Sequence, residues 1–185
     1  MRLVLCRHAA MGSSDQAAGL SRELEDLQLA ALYTSPLVRA LETAQVVAAV
    51  HPLTPSIRAD LREIDLGAVE GLPFEEYPLE LQAELLDSPA SVRFPGGESY
   101  DELRARVVTA FDEIAATHAD KTVVAISHAG AIRAALATWL DIPAGAAFRI
   151  DQSFAAINVV DLNGAKPFLR LVNGATIPAA LRAAL

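Results

Sequence analysis

Two histidines in this chain close the same kind of segment. His8 follows Leu3-Val4-Leu5-Cys6-Arg7, and His128 follows Thr122-Val123-Val124-Ala125-Ile126-Ser127; each apolar run stops abruptly at polar residues. Strand ends are where open parallel sheets bind ligands, so if these two strands are neighbours their histidines face one pocket. Imidazole placed there can act as acid, base or nucleophile, whereas one histidine after one strand is most often structural.

Arginines shift that reading toward anions. Arg7 adjoins His8, and Arg39 stands in the first turn of a helix that Ser35-Pro36 is expected to open, where the positive end of the helix dipole adds to its attraction. A guanidinium fork matches phosphate oxygens and stays charged at every working pH. Most single arginines are solvated surface residues; the spacing after Ser35-Pro36 is what marks Arg39.

Such residues need strands that end together. Met1 to Cys6 and Thr122 to Ile126 read as buried strands. Ala30 to Thr34 reads as a third, running into Ser35 as N-cap, Pro36 at the first helical position and a helix from Leu37 to about Val50. Ser99-Tyr100-Asp101-Glu102 has capping-box spacing, and Leu103, Val107, Ala110, Phe111 and Ile114 follow at helical period, which predicts an amphipathic helix from Ser99 to about His118. Ala131 to Leu140 reads as an apolar helix, and Ile157 to Leu162 with Phe168 to Val172 as a closing strand pair around Asn163-Gly164. Strands that feed helices in this way predict an α/β fold, three-layer αβα around a mainly parallel central sheet.

Residues 72–97 differ in texture, with Pro73, Pro78, Pro89 and Pro95, several acids and a short helical pattern from Pro78 to Leu86. This insertion reads either as a lid or specificity loop or as a surface excursion with no role. His51, His118 and Trp139 have no partner that suggests chemistry and read as structural.

Composition sets the outer limits. The 185 residues are 52% hydrophobic and 21% charged, enough for one sizeable core and incompatible with a disordered chain. A net charge of -8 leaves no global basic surface for nucleic acid or anionic lipid, so an anion must be held by a local cluster. Cys6 is the single cysteine, too few for a disulfide framework or a cysteine-based metal site. The apolar run before Arg7 is too short for a secretory signal, and no stretch reaches the ~18 apolar residues that span a bilayer, which predicts a cytoplasmic protein without a membrane partner.

Five blocks in order carry a family resemblance: Leu3-Val-Leu-Cys-Arg7-His8, Tyr33-Thr-Ser35-Pro36-Leu-Val-Arg39-Ala-Leu-Glu42-Thr43-Ala44, Leu61-Arg-Glu63-Ile-Asp-Leu-Gly67-Ala-Val-Glu70-Gly71, Pro95-Gly-Gly97-Glu98-Ser99 and Ser127-His128-Ala-Gly130. Together they resemble the histidine phosphatase superfamily, which includes cofactor-dependent phosphoglycerate mutases, broad-specificity phosphatases and α-ribazole phosphatases. The resemblance spans nearly the whole chain and implies a phosphoglycerate mutase-like fold. It implies that His8 takes a phosphoryl group onto its ring, that Arg7, Arg39 and His128 cage the phosphoryl oxygens, and that Glu63 donates the proton to the leaving group. Burial beside Ile64 and Leu66 is expected to tune Glu63 for that task; the plain alternative is a surface glutamate. No metal or cofactor is implied.

Two departures from the family pattern stand near His8. The usual glycine after Arg-His is Ala9, and only 26 residues separate His8 from Ser35, which predicts a clipped phosphate loop and a shortened crossover helix from Ser21 to about Leu29 with Leu24 and Leu27 inward. The loop's usual asparagine has no clear counterpart; Ser13 or Ser14 could donate to phosphate in its place, or both could be plain loop residues. The backbone at Ala129 is a further substrate contact on this reading.

The expected function is hydrolysis of a small phosphorylated metabolite. Phosphoglycerate mutase-type transfer is the rival within the class, disfavoured because a short Ala-rich tail follows Val172. A phosphate-binding or interaction module with impaired turnover is the rival outside it, disfavoured because binding alone needs no proton donor. A cysteine phosphatase using Cys6 fails on spacing, since Gly12 stands where its loop would need arginine. An apolar edge exposed by the clipped region would make a homodimer a simple remedy.

Overall fold

Alternate residues of a strand face opposite ways, and the two inner strands are apolar on both sides. Leu3, Leu5, Val123 and Ala125 enter one buried cluster with Leu103, Val107, Ile132 and Leu136, while Val4, Cys6, Val124 and Ile126 enter another with Leu20, Leu24, Ala40, Ala44 and Val47. Helices must therefore cover both faces, and in this computed structural model, which describes residues 1–164 and 166–185, they do.

The sheet has six strands in the order β3-β2-β4-β1-β5-β6, formed by β1 (Arg2–Arg7), β2 (Leu29–Thr34), β3 (Ser56–Ile57), β4 (Thr122–Ser127), β5 (Ile157–Asp161) and β6 (Phe168–Gly174). The first four in that order pair in parallel; β5 runs antiparallel to β1 and β6 antiparallel to β5, so the sheet is mixed with a parallel centre. One face carries α4 (Tyr100–Thr117) and α5 (Ala129–Trp139); the other carries α1 (Ser14–Leu24) and α2 (Val38–Ala48), with α6 (Ala179–Arg182) beside α1 through Arg182 and Glu23. Among the described residues no helix is long and apolar enough to cross a membrane.

The sequence expectations hold for β1, β2, β4, β5 and β6 and for α4, whose Ser99 side chain accepts from the Glu102 N–H in a complete capping box; the two-residue β3 is an addition. Three are corrected. The crossover helix runs over Ser14–Leu24, not Ser21 to Leu29, because Ala17, Leu20, Ser21 and Leu24 form its inward stripe; only the preceding loop is short. Ser35 is not an N-cap: α2 starts at Val38, and the Ser35 hydroxyl accepts from the Leu37 N–H outside the helix. The apolar helix after His128 begins at Ala129, one residue after the strand's last polar pair. Cys6 is fully buried, and burial pushes its thiol pKa up, consistent with a core residue.

Residues 72–97 form a short 3-10 turn at Phe74–Glu76, α3 (Leu79–Asp87) and a return to the main chain at Pro95–Gly97. Their own small core of Leu81 and Phe94, closed by Val69, packs partly against Ile64 and Leu66. The stem of this excursion is tight: a Cβ on Gly67, where φ is +55°, would lie 2.2 Å from the Pro95 carbonyl oxygen, and one on Gly97 would lie 2.2 Å from that of Asp65.

Candidate active site

β1 and β4 are neighbours in parallel register, with Arg7 opposite Ser127, so His8 and His128 leave the sheet side by side. Their ring centroids are 4.9 Å apart, and both side chains are buried. β2 ends at the same level, and its next residue, Ser35, has its hydroxyl 2.7 Å from His128 Nε2. One end of the parallel sheet thus gathers the strand-end residues that the sequence singles out.

The partners of His8 fix its protonation. A carbonyl oxygen can only accept, so the 2.6 Å contact with Ala9 O places the proton on Nδ1. A guanidinium N–H can only donate, so the 3.2 Å bond from Arg39 Nε places a lone pair on His8 Nε2. His8 is therefore neutral with Nε2 as the free base. Burial pulls its pKa down to about 4, assisted by the charges of Arg39 and Arg7 against the opposing bond to Ala9.

His128 is neutral for the same reasons, with burial first and then His8, Arg39 and Arg7 bringing its pKa to about 2. Ser35 Oγ accepts from the Leu37 N–H and lies 2.7 Å from His128 Nε2, so that ring nitrogen is engaged by the hydroxyl. Among the described residues Nδ1 of His128 and Nε of Arg7 are buried with no hydrogen-bond partner. Orphaned polar atoms of this kind, one of them a guanidinium N–H, are what an oxyanion would satisfy.

The segment before β5 completes the floor and was not marked in the sequence. Arg7 Nη1 donates to Gln152 O at 2.5 Å, the Ala155 N–H donates to His8 O, and the Phe154 ring lies 3.7 Å from the Arg7 guanidinium carbon and 5.6 Å from the His8 ring. Gln152 is in turn buried in a reciprocal amide pair with Asn158 of β5. The only signal for this support is the run of polar residues just before a strand, which is common to many loops.

Glu63 stands near enough to Arg7 for its carboxylate to oppose the lowering of the Arg7 pKa by burial. Its carboxylate accepts from the Gly130 N–H in the first turn of α5 and from the Ile64 N–H, each at 3.0 Å. Backbone N–H groups thus hold the carboxylate, while the Ile64 and Leu66 side chains pack partly against the insertion's core and Ile64 also lines the recess that Glu63 lines. Arg106 of α4 holds the loop behind it, donating to the carbonyls of Asp60, Arg62 and Glu63 at 2.8 to 2.9 Å and to the Glu98 carboxylate, which itself accepts from the Asp65 N–H. Arg106 lies in the middle of an amphipathic helix, and its hub role is visible only once the loop has folded back on it.

Gly130 offers a direct test of this placement. A Cβ there would lie 2.3 Å from Glu63 Oε1, the movable end of a side chain, so Gly130→Ala should fold and displace the carboxylate. Alanine favours a helix by about 1 kcal/mol over glycine, so the melting temperature should hold or rise while turnover of an alkyl phosphate falls ~10²-fold.

Ser14 is not drawn into this cluster. It is the exposed first residue of α1, and the loop before it is closed instead by the Ala10 N–H donating to Gln16 Oε1. Ala129, the first residue of α5, carries one of the N–H groups that a helix start leaves unpaired, directly after His128. Ala9 is accommodated without strain, since its φ is not positive, and its N–H donates to Thr43 Oγ1 on α2; the loop turns at Gly12, where φ is +75°. His118 has a partner that the sequence did not suggest, Tyr33 Oη at 2.9 Å from its Nε2.

Comparison with known proteins places these features in a wider set. The family model of the histidine phosphatase superfamily (branch 1) matches residues 12–174. The Bifunctional protein Rv2228c of Mycobacterium tuberculosis is 35% identical over 150 residues, covering 78% of this chain and 41% of its own length. Phosphoserine phosphatase 1 of Hydrogenobacter thermophilus is 34% identical over 123 residues, 64% of this chain and 58% of its own. This chain therefore spans about half the length of these curated relatives. The α-ribazole phosphatase of Shigella flexneri shares the fold, with a TM-score of 0.85 at 20% identity over 97% of this chain and 99% of that one.

Proposed function

The chain belongs to the histidine phosphatase superfamily, and from that premise we propose that it hydrolyses a small phosphorylated metabolite through a phosphohistidine at His8. The observation that carries this reading is the locked tautomer of His8, whose lone pair on Nε2 accepts from Arg39 beside Arg7 and the unpartnered ring nitrogen of His128.

In the first step His8 Nε2 forms a bond to phosphorus as the bond to the leaving oxygen breaks, and Glu63 as the acid gives its proton to that oxygen. Arg39 moves its N–H from Nε2 to the phosphoryl oxygens, joining Arg7 and His128 in holding the charge that spreads over them. In the second step Glu63 takes a proton from water, whose oxygen displaces the imidazole and releases inorganic phosphate. Ala129 N–H is a candidate donor to the same oxygens.

Turnover of 4-nitrophenyl phosphate in excess EDTA is the expected result. Tight phosphate binding with no turnover of any ester would favour the binding module instead.

A further inference from the structure

Beside the cage lies a second cavity that the chemistry above does not use. It has a volume of about 300 Å³ and lies along the seam between the insertion and the main core, with Leu66, Phe74 and Leu85 on one side and Tyr100 and Phe148 on the other. None of its lining side chains is charged. Ile64 joins it to the active site: its N–H donates to Glu63 Oε1 at 3.0 Å while its side chain lines the cavity. The wall therefore begins one residue from the group that would protonate the leaving oxygen.

We propose, on the reading of the site given above, that this cavity takes the body of the leaving alcohol, so that the substrates are phosphomonoesters of uncharged, largely apolar alcohols. Three observations support the occupant. Phe74 and Phe148, each more than a third exposed, stand on opposite sides and leave apolar surface in water that a ligand would cover. Tyr100 is 2% exposed, and its hydroxyl has no partner among the described residues, as in a site whose remaining hydrogen bond arrives with the ligand. The recess that Glu63 itself lines is acidic, with Asp65 and Glu70 beside Arg62, and it would repel an anionic leaving group. Burial holds the Tyr100 phenol at a pKa of about 12, so it stays a donor.

The test is a series of straight-chain alkyl phosphates from methyl to hexyl, with O-phosphoserine alongside, because leaving-group basicity is nearly constant along the chain. Each CH₂ that enters the cavity should raise kcat/KM about 4-fold, until it is filled. Phosphoserine, charged and short, should fall near methyl phosphate. In Leu85→Asn and Phe148→Ala the hexyl-to-methyl ratio should collapse toward one, whereas Leu140→Asn, an exposed leucine outside the cavity, should keep the wild-type ratio. A ratio taken on one preparation does not depend on how much of a variant folds, and Phe148 is 52% exposed, so its truncation spares the core. A flat series with turnover intact, or a ratio unmoved by both cavity variants, would overturn the inference and leave hydrolysis standing. No turnover of any ester would overturn both.

Discussion

His8→Ala should lower the hydrolysis of 4-nitrophenyl phosphate by ~10⁴-fold or more, even though that ester has a good leaving group. The size follows from what is removed. Arg7, Arg39 and His128 would still bind phosphate, but the lone pair that attacks phosphorus on the proposed route, that of His8 Nε2, is gone. Phosphate affinity should therefore survive while kcat does not, which a competition assay with inorganic phosphate can establish beside the rate. The same geometry sets the acid limit of the wild-type enzyme. Protonated His8 has no lone pair, and its pKa lies at about 4, so kcat/KM carries no His8 limb near neutrality and loses this group only as the pH falls through about 4. A substantial residual rate in His8→Ala in the same buffer would remove the phosphohistidine route.

Glu63→Gln should separate substrates by their leaving groups. An amide keeps the shape, but its single oxygen can accept from only one of the Gly130 and Ile64 N–H groups, which bond different carboxylate oxygens, and it cannot give up a proton as an acid does. Alkyl phosphates, which need protonation of the departing alkoxide, should slow ~10²- to 10⁴-fold in the first step. For 4-nitrophenyl phosphate the first step should slow far less, so a burst of nitrophenolate should precede slow release of phosphate. Rapid-quench measurement of both products reads the two steps separately. Equal loss for both ester classes, with no burst, would assign Glu63 a structural part.

The difference between what was legible in the sequence and what was not has a physical basis. The strands that carry Arg7-His8 and Ser127-His128 are continuous apolar runs, and burial on both faces leaves no other reading; their adjacency then brings the histidines together. Glu63 is legible only through the family pattern, and the N–H group of Gly130 that holds it is not, since it comes from a helix start 67 residues away. Arg106, Gln152 and Phe154 were not singled out, since each acts through main-chain atoms or a ring face across 40 or more residues of sequence. The helix after β1 was placed late because its first turn is polar; its inward residues begin only at Ala17.

The clamp formed by Arg106, Glu98 and the glycine contact at Gly67 and Gly97 ties together the two strands of chain that enter and leave the insertion. Glu63 hangs from that clamp through its carbonyl and from the Gly130 N–H of α5 through its carboxylate. Both supports lie outside residues 72–94, so that stretch can be exchanged as a cassette while Glu63 keeps its place. On the proposed reading, rewriting this one loop changes which alcohol is accepted and leaves the reaction itself unchanged.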